Sequence, residues 1–498
     1  MAFNQILKGT ILPKVKLQTL WDEDSSSGSG SPFFETNINK PASSQKVGAT
    51  SPFVKIGGQI VTDIENLIID ETGLIPTITM IFNDSSGEYS GHVFPKHNPI
   101  LNLYLKASND NFKPIRNDFL ITSIKSISNK KLDRAKDRWN ETSHTYLVKG
   151  ELYVPKLHNH ISKAYINLNS KDVLKRIAED FKLGFSENES STSDSMTWIN
   201  PNKSTLDLID EIIKHSYRDD DTFFTAFIDK YYYLNFIDVN EQLKITDADS
   251  TFIAHANGLE SGISQKMKDS PGIHKLYQET VDNYLTTELK DKGRSNFIVD
   301  IDLISKQGGI LNDHGYKKHL YYYDSQTNYD SPKDKFKDFF LKPINSTDRS
   351  VDTFLIPEDE DLAENETKTW TGITYGNVHD NWKTAKLLNE HNLNELEKIK
   401  LKVTINNINF QCIRGAMVPV IVTTDKAESM MRSLEIDTNF KSMISDKVNL
   451  IDETIDSQLT GYYYISGAKY YYDKNRSVGL YTELYLARRE WNRSKIIK

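Results

Sequence analysis

Apolar and polar positions alternate along much of this chain, the period expected of strands with one buried face. The fullest run is GYYYISGAKYYYDKNRSVGLYTELYLARREW, starting at Gly461. Tyr462–Ile465 lead through Ser466-Gly467 into Lys469–Tyr472, Asp473-Lys474-Asn475-Arg476 make a polar turn, and Gly479–Leu486 return. Aromatic and β-branched residues around such a turn predict a β-hairpin. In the returning strand Leu480, Thr482, Leu484 and Leu486 share one face, while Tyr481, Glu483 and Tyr485 share the other. Ile399–Ile405 reads as a partner strand, Asn406-Asn407 as a turn, and Phe410–Cys412 and Val418–Val422 as its continuation. The result is an antiparallel sheet or small barrel.

A second strand-rich region lies upstream. Val54–Val61 is predicted as one strand with a bulge or close approach at Gly57-Gly58, followed by Ile64–Ile69, a turn at Glu71-Thr72-Gly73, and Ile75–Phe82. Ile100–Leu105, Phe119–Ile127 and Thr145–Leu152 complete a barrel or sandwich, with residues 129–141 a hairpin tip or short helix. The period then changes to that of helices. Ser170 is the expected N-cap of a helix with Val173, Leu174, Ile177, Ala178 and Phe181 inward, ended by Gly184. Ser204 with Asp207 starts a second, striped by Leu206, Ile209, Ile212, Ile213 and Tyr217. Phe223–Ile228 and Tyr231–Ile237 then form a hairpin about Asp229-Lys230.

The remaining stretches are less regular. Asn296–Ser305 and His319–Tyr323 read as strands, 357–366 as a solvated acidic loop, and Asp380–Glu397 as a helix with Trp382, Ala385, Leu388 and Leu393 inward. Residues 426–458 form a methionine-bearing, semi-apolar insertion, read as a local lobe in preference to a lid over a partner. The leader combines apolar residues with the flexible DEDSSSGSGS. It reads either as a disordered tail or as an arm docking on a neighbouring subunit through Leu20-Trp21 and Phe33-Phe34.

Composition narrows the function classes. A chain of 498 residues exceeds one ordinary core, so two to four domains are expected. The net charge of −8 argues against tight sequence-independent nucleic-acid binding, which needs basic surface. A single cysteine, Cys412, excludes an intrachain disulfide framework and a cysteine-rich zinc site. The start lacks the apolar core of a secretory signal, and no apolar run is long enough for a transmembrane helix.

No residue pattern in the chain marks a catalytic or metal chemistry. No phosphate-binding glycine loop, zincin helix, nucleophile elbow or EF-hand loop occurs. His158 and His160 fall on one face of a strand without an evident third ligand, and read as surface histidines. Asp219-Asp220-Asp221 reads as a solvated strand start in preference to a cation site, and Gly308-Gly309 as a turn. With 69 acidic residues, a carboxylate pair has no diagnostic value for glycoside hydrolysis. No catalytic, cofactor-binding or metal-ligating residue is therefore expected, and neither a cofactor nor an enzyme activity.

The order of parts resembles the baseplate hub protein of tailed bacteriophages, a family shared with the hub part of the type VI secretion spike protein. The resemblance is carried by FVKIGGQIVTDIENLIIDETGLIPTITMIFND, by SKDVLKRIAEDFKL and STLDLIDEIIKHSYRDDDTFFTAFIDKYYYLNFIDVN, and by the C-terminal hairpin with its closing LYLARREW. It covers roughly 53–250 and 395–491 and contains no diagnostic short motif; the leader, 250–395 and 426–458 have no counterpart in it. It implies a mainly β fold with α+β insertions, in which two β-barrel (tail-tube-like) domains accompany a small α/β domain and a C-terminal insertion. The expected divisions are an arm at 1–50, a first barrel at 51–155, the α/β domain at 156–222, a second-barrel start with long insertions at 223–395, and its completion at 396–498. It further implies a homotrimer whose six barrels adapt a sixfold tail tube to a threefold spike and form part of a DNA conduit. Its partners would be the central spike or needle protein, a tail tube or tube-initiator protein and other baseplate proteins. DNA would pass without specific binding. The chain would be made in the bacterial host cytoplasm and reside in the virion tail, with the spike left to a separate chain because this one ends just after its last strand. A tail adhesin or carbohydrate-binding protein, using tyrosines for stacking, and a cell-wall glycan hydrolase remain as alternatives.

Overall fold

The computed structural model describes residues 8–15, 52–84, 89, 100–105, 115–130, 143–188, 191–243, 276–278, 297–305, 317–324, 337–340, 367–374, 378–397, 399–406, 414–422, 459, 461–476 and 479–488. Most of them lie in strands. After β1 (Lys8–Ile11), a first curled sheet is built from β2 (Phe53–Ile56), β3 (Gln59–Ile60), β4 (Ile64–Asp70), β5 (Thr77–Asp84), β6 (Ile100–Leu105), β7 (Ile115–Lys130) and β8 (Ser143–Leu152). Alternation makes these strands half-buried: along β5, Ile78, Met80 and Phe82 face the core while Thr77, Thr79 and Ile81 do not. The stretch expected as one bulged strand is a tight hairpin instead. Gly57 and Gly58 both take left-handed backbone (φ 60 and 90), the geometry of a two-residue turn between β2 and β3.

A helical unit follows, from β9 (His160–Leu168), α1 (Ser170–Asp180), β10 (Gly184–Glu187), β11 (Met196–Ser204), α2 (Thr205–His215), β12 (Phe224–Ile228), β13 (Tyr233–Asp238) and α3 (Val239–Leu243). Its strands make a four-stranded sheet ordered β1-β10-β13-β12 and a ribbon of β9 with β11. Both helices turn the expected stripe inward, with Val173, Leu174, Ile177 and Ala178 from α1 and Ile209, Ile212 and Ile213 from α2. The caps differ in part. Ser204 caps α2 as expected, its Oγ accepting from the Asp207 N–H at 3.1 Å. For α1 the cap is Asn169, not Ser170; Oδ1 of Asn169 accepts from the Asp172 N–H at 2.7 Å, while Ser170 is already helical. Gly184 does not end α1 either. The left-handed residue there is Lys182 (φ 60), and Gly184 begins β10, where a Cβ would sit 2.4 Å from the Tyr233 ring. The leader's first described residues follow neither reading of the leader as a whole: β1 pairs antiparallel with β10 of its own chain. Leu20-Trp21 and Phe33-Phe34 lie outside the described residues.

The second sheet uses β14 (Leu276–Gln278), β15 (Phe297–Ser305), β19 (Ile399–Asn406), β20 (Met417–Ile421), β21 (Gly461–Asp473) and β22 (Leu480–Ala487). Since β20 pairs with both β14 and β21, these six strands close on themselves as a barrel. A three-stranded sheet, β16 (Lys317–Asp324), β17 (Lys337–Phe340) and β18 (Thr367–Thr374), stands apart from it, and α4 (Trp382–Glu397) leads directly into β19. The 426–458 insertion, the 357–366 loop, Phe410–Cys412 and Gly308-Gly309 fall outside the described residues.

The two sheets repeat one another. In chain order β4, β5, β6, β7 and β8 stand side by side as β4-β5-β8-β7-β6, and β15, β19, β20, β21 and β22 stand as β15-β19-β22-β21-β20, antiparallel throughout. The registers agree residue by residue: the row Leu67–Met80–Val148–Ile124 corresponds to Ile301–Val403–Leu484–Ala468. Bulges correspond as well, at Ile64/Asn66 and Ile298/Asp300, and at Ile121/Ser123 and Ile465/Gly467, while a further bulge at Ser126/Ser128 of β7 has no counterpart in β21.

Candidate functional site

What this architecture positions is a joint. β21 is long enough to belong to both sheets: Gly461–Tyr464 pair with β20 and Lys469–Asp473 pair with β4 along the same edge, while β22 holds the other edge from Tyr464 to Tyr472. The change of partner falls at the bulge around Ser466, where the sequence breaks its run of large residues. Gly467 is required there, because a Cβ would lie 2.8 Å from Cγ2 of Thr72 in the facing loop. Glu71 continues the seam, its N–H donating to the Ala468 carbonyl at 2.9 Å.

Behind the seam lies a buried polar cluster. Lys230 has no exposed side-chain surface and Glu71 only 3%. Nζ of Lys230 donates to Glu71 Oε2 at 3.1 Å and to the Tyr470 hydroxyl at 2.7 Å, and the Lys230 N–H donates to Glu71 Oε1 at 2.7 Å. Two sheets and the helical unit thus meet on one ammonium group. The turn carrying Lys230 is fixed from both sides. Asp229 Oδ1 accepts the N–H groups of Tyr231 and Tyr233, and Asn117 of β7 donates its side-chain N–H to the Lys230 carbonyl at 2.8 Å. Tyr232 adopts left-handed backbone (φ 63), strained for a bulky residue, while its buried hydroxyl accepts from the Asp118 N–H at 3.0 Å. Burial pushes the Asp229 carboxyl up to about 6, against the N–H donor of Tyr233, with Glu71 adding to the rise. Arg414, next to β20, donates to the Gly73 carbonyl and stacks 4.5 Å from the Phe227 ring centre.

A second contact ties α4 to α2. His215 stacks on Trp382 at 3.9 Å and its Nδ1 lies 2.9 Å from the Trp382 carbonyl, so Nδ1 carries the proton of a neutral ring. Burial pushes this imidazole down to about 3. His379 Nε2 in turn donates to the His215 carbonyl at 3.0 Å. Asn389 of α4 donates to the carbonyls of Ile213, Lys214 and Ser216 and accepts from the Phe224 N–H, capping the α2 C-terminus from outside.

The face of the joined sheets turned away from both cores is polar and aromatic. Lys469 pairs with Asp70 at 3.0 Å, Tyr471 stacks on Tyr481 at 4.5 Å and donates to Glu483 at 2.8 Å, and Lys402 reaches Asp302 at 3.4 Å and Glu483 at 3.6 Å. Positive and negative groups alternate across the seam, so the face carries little net charge.

The histidines and aspartates singled out from sequence do not assemble. His158 lies in a turn and His160 opens β9, so they do not share one strand; His160 Nδ1 contacts the Asn202 carbonyl. Asp219 accepts from Arg218 Nε and the Asp221 N–H, and all three aspartates are exposed. Among the described residues no group of three or more His, Cys, Asp or Glu side chains is placed to hold a metal, and no helix is long and apolar enough to cross a membrane. The joint residues escaped sequence reading because Glu71 and Lys230 read as turn residues; only their placement beside apolar strands hinted at burial.

Against known proteins, the fold is similar to two classes, tail proteins and type VI secretion components. A tail protein from Neisseria meningitidis MC58 is 10% identical, with 88% of this chain and 96% of that one covered at a TM-score of 0.44. The 43 kDa tail protein of prophage MuSo2 from Shewanella oneidensis is also 10% identical, covering 88% and 98% at 0.44. A component of the Escherichia coli type VI secretion system, described as structurally similar to T4 bacteriophage tail proteins, is 10% identical over 89% of this chain and 80% of that one at 0.40. No family model matches the sequence, and no curated protein matches it.

Proposed function

We propose that this chain is a structural component of a phage tail baseplate, a trimeric hub ring that adapts a sixfold tube to a threefold spike and forms part of the DNA conduit. The observation that carries the reading is the internal repeat. One chain holds two sheets of the same strand order and register, joined edge to edge by β21 and β4. Three such chains present six equivalent sheets on a threefold frame, the geometry a tube-to-spike adaptor needs. The fixed joint supports it: a buried Lys230–Glu71–Tyr470 cluster holds the two sheets at one angle, as a ring with a set diameter requires. The charge-balanced face across the seam suits a wall past which DNA slides without sticking. Partners on this reading are a spike or needle protein, a tail tube or tube-initiator protein and neighbouring baseplate proteins, with the virion tail as location.

Light scattering across micromolar concentrations, with negative-stain images of the same sample, tests the reading. A threefold ring with a central hole is the expected result. A monomer that binds glycan and forms no ring at any concentration, or on addition of spike protein, would instead make it an adhesin.

A further inference from the structure

The internal repeat leaves one junction unmade. Within the chain, β21 lays Lys469–Asp473 against β4. The counterpart of β21 is β7, and the counterpart of β4 is β15. On β7 only residues 115–120 pair with β6, and among the described residues the same edge beyond the Ile121/Ser123 bulge meets no strand. On β15 only Phe297 and Ile298 pair with β14, and the rest of that edge is likewise without a strand among the described residues. Exposure marks the same place. Ile69, covered by β21, is fully buried, whereas its counterpart Leu303 is 57% exposed and Val299 on the same strand 56%. A strand edge with exposed apolar residues calls for a partner.

We infer that the β7 edge of one chain pairs antiparallel with the β15 edge of a second copy, repeating between chains the β21–β4 junction found within each. The inference rests on the ring reading and adds which strands join and in what register. Lys469 opposite Asp70 translates to Lys125 opposite Ile304, and Tyr470 opposite Ile69 to Ser126 opposite Leu303. Each copy would offer one edge of each kind, so the contact is head-to-tail and propagates until the ring closes. Leu303 would then be covered from the neighbour as Ile69 is covered from β21.

Cysteine pairing tests this directly. Lys469 and Asp70 stand directly opposite one another in the β21–β4 pairing, so cysteines at their counterparts should stand within disulfide reach as well. In a chain with Cys412→Ser, the pair Lys125→Cys and Ile304→Cys is oxidised under mild conditions, alongside a control pair Lys125→Cys and Lys402→Cys. Six strands separate β7 from β15 within one chain, so a disulfide at the test pair joins two chains. Covalent dimers and trimers from the test pair, with at least a tenfold lower yield from the control, are expected. Trimers by light scattering without that cross-link overturn the edge pairing and leave the ring reading standing. Monomers throughout, on addition of spike protein as well, with no cross-link in either pair, overturn both.

Discussion

At Lys230, a single side chain decides how three parts of the molecule sit together. Removing it as Lys230→Ala strands Glu71 as a buried carboxylate, a change that costs about 3–5 kcal/mol in comparable settings. Tyr470→Phe removes one hydrogen bond to the ammonium and should cost only about 1–2 kcal/mol. Pairing Lys230→Met with Glu71→Leu should recover most of the loss, because neither charge is then left alone. Denaturant unfolding of the singles and the double checks this, and additive losses would mean the two residues do not act as a pair. His215 gives a pH signature. Its folded value of about 3 lies below the ordinary 6.5, so its contribution is complete above pH 6.5 and is lost as pH falls towards 3. Lys386 and Lys214 around it add to the lowering by their positive charge. Asp229 and Asp238, both pushed up to about 6, work oppositely and favour the fold most below their ordinary 3.8. Unfolding measured from pH 7 to 4 should show the wild type losing stability relative to His215→Gln; parallel curves would mean that the buried ring does not titrate on unfolding.

Among the elements, the hairpin β21–β22 was the most legible in the sequence, and the reason is physical. Its alternation and its Asp473-Lys474-Asn475-Arg476 turn are local signals, and the strand faces came out as read, with Leu480, Thr482, Leu484 and Leu486 buried. β9 is poorly legible in the sequence, because His160–Leu168 exposes most of its residues and shows no clean alternation. The helix caps divided in the same way. Ser204 with Asp207 is a local pattern and held, while choosing between Asn169 and Ser170 depends on which side chain turns back, which spacing does not set. Asn389 was invisible for a stronger reason: its partners lie on α2 and β12, far away in sequence. Asn389→Ala should therefore cost about 2–3 kcal/mol, since it orphans three carbonyls and an N–H at once. Ser204→Ala, losing one local cap, should cost about 1 kcal/mol. At the seam, Gly467→Ala should destabilise through the Thr72 methyl, and adding Thr72→Ser should restore part of the loss while keeping the hydroxyl bond to Asp70. No rescue by Thr72→Ser would place the strain in the backbone instead.

For the whole molecule, the shared strand has a thermodynamic consequence. If the two sheets were independent domains on a tether, each would open with its own free energy, and strands 66–70 and 469–473 would show different protection from hydrogen exchange. Here those strands bond to each other, and β21 is also the second barrel's own wall. Neither sheet can shed β21 without exposing a strand edge and the buried Lys230–Glu71 pair, so both should open together. The expectation is that amides in 66–70, 224–238 and 469–473 exchange with one common free energy in the wild type. Lys230→Ala should lower all three by the same amount, because the ammonium joins all three parts. Loss of protection confined to 224–238 would show that Lys230 merely fixes its own turn. Equal loss across all three would show the two sheets to be one rigid double unit, because only a shared opening transition removes protection from the β21–β4 seam and the Lys230 turn together.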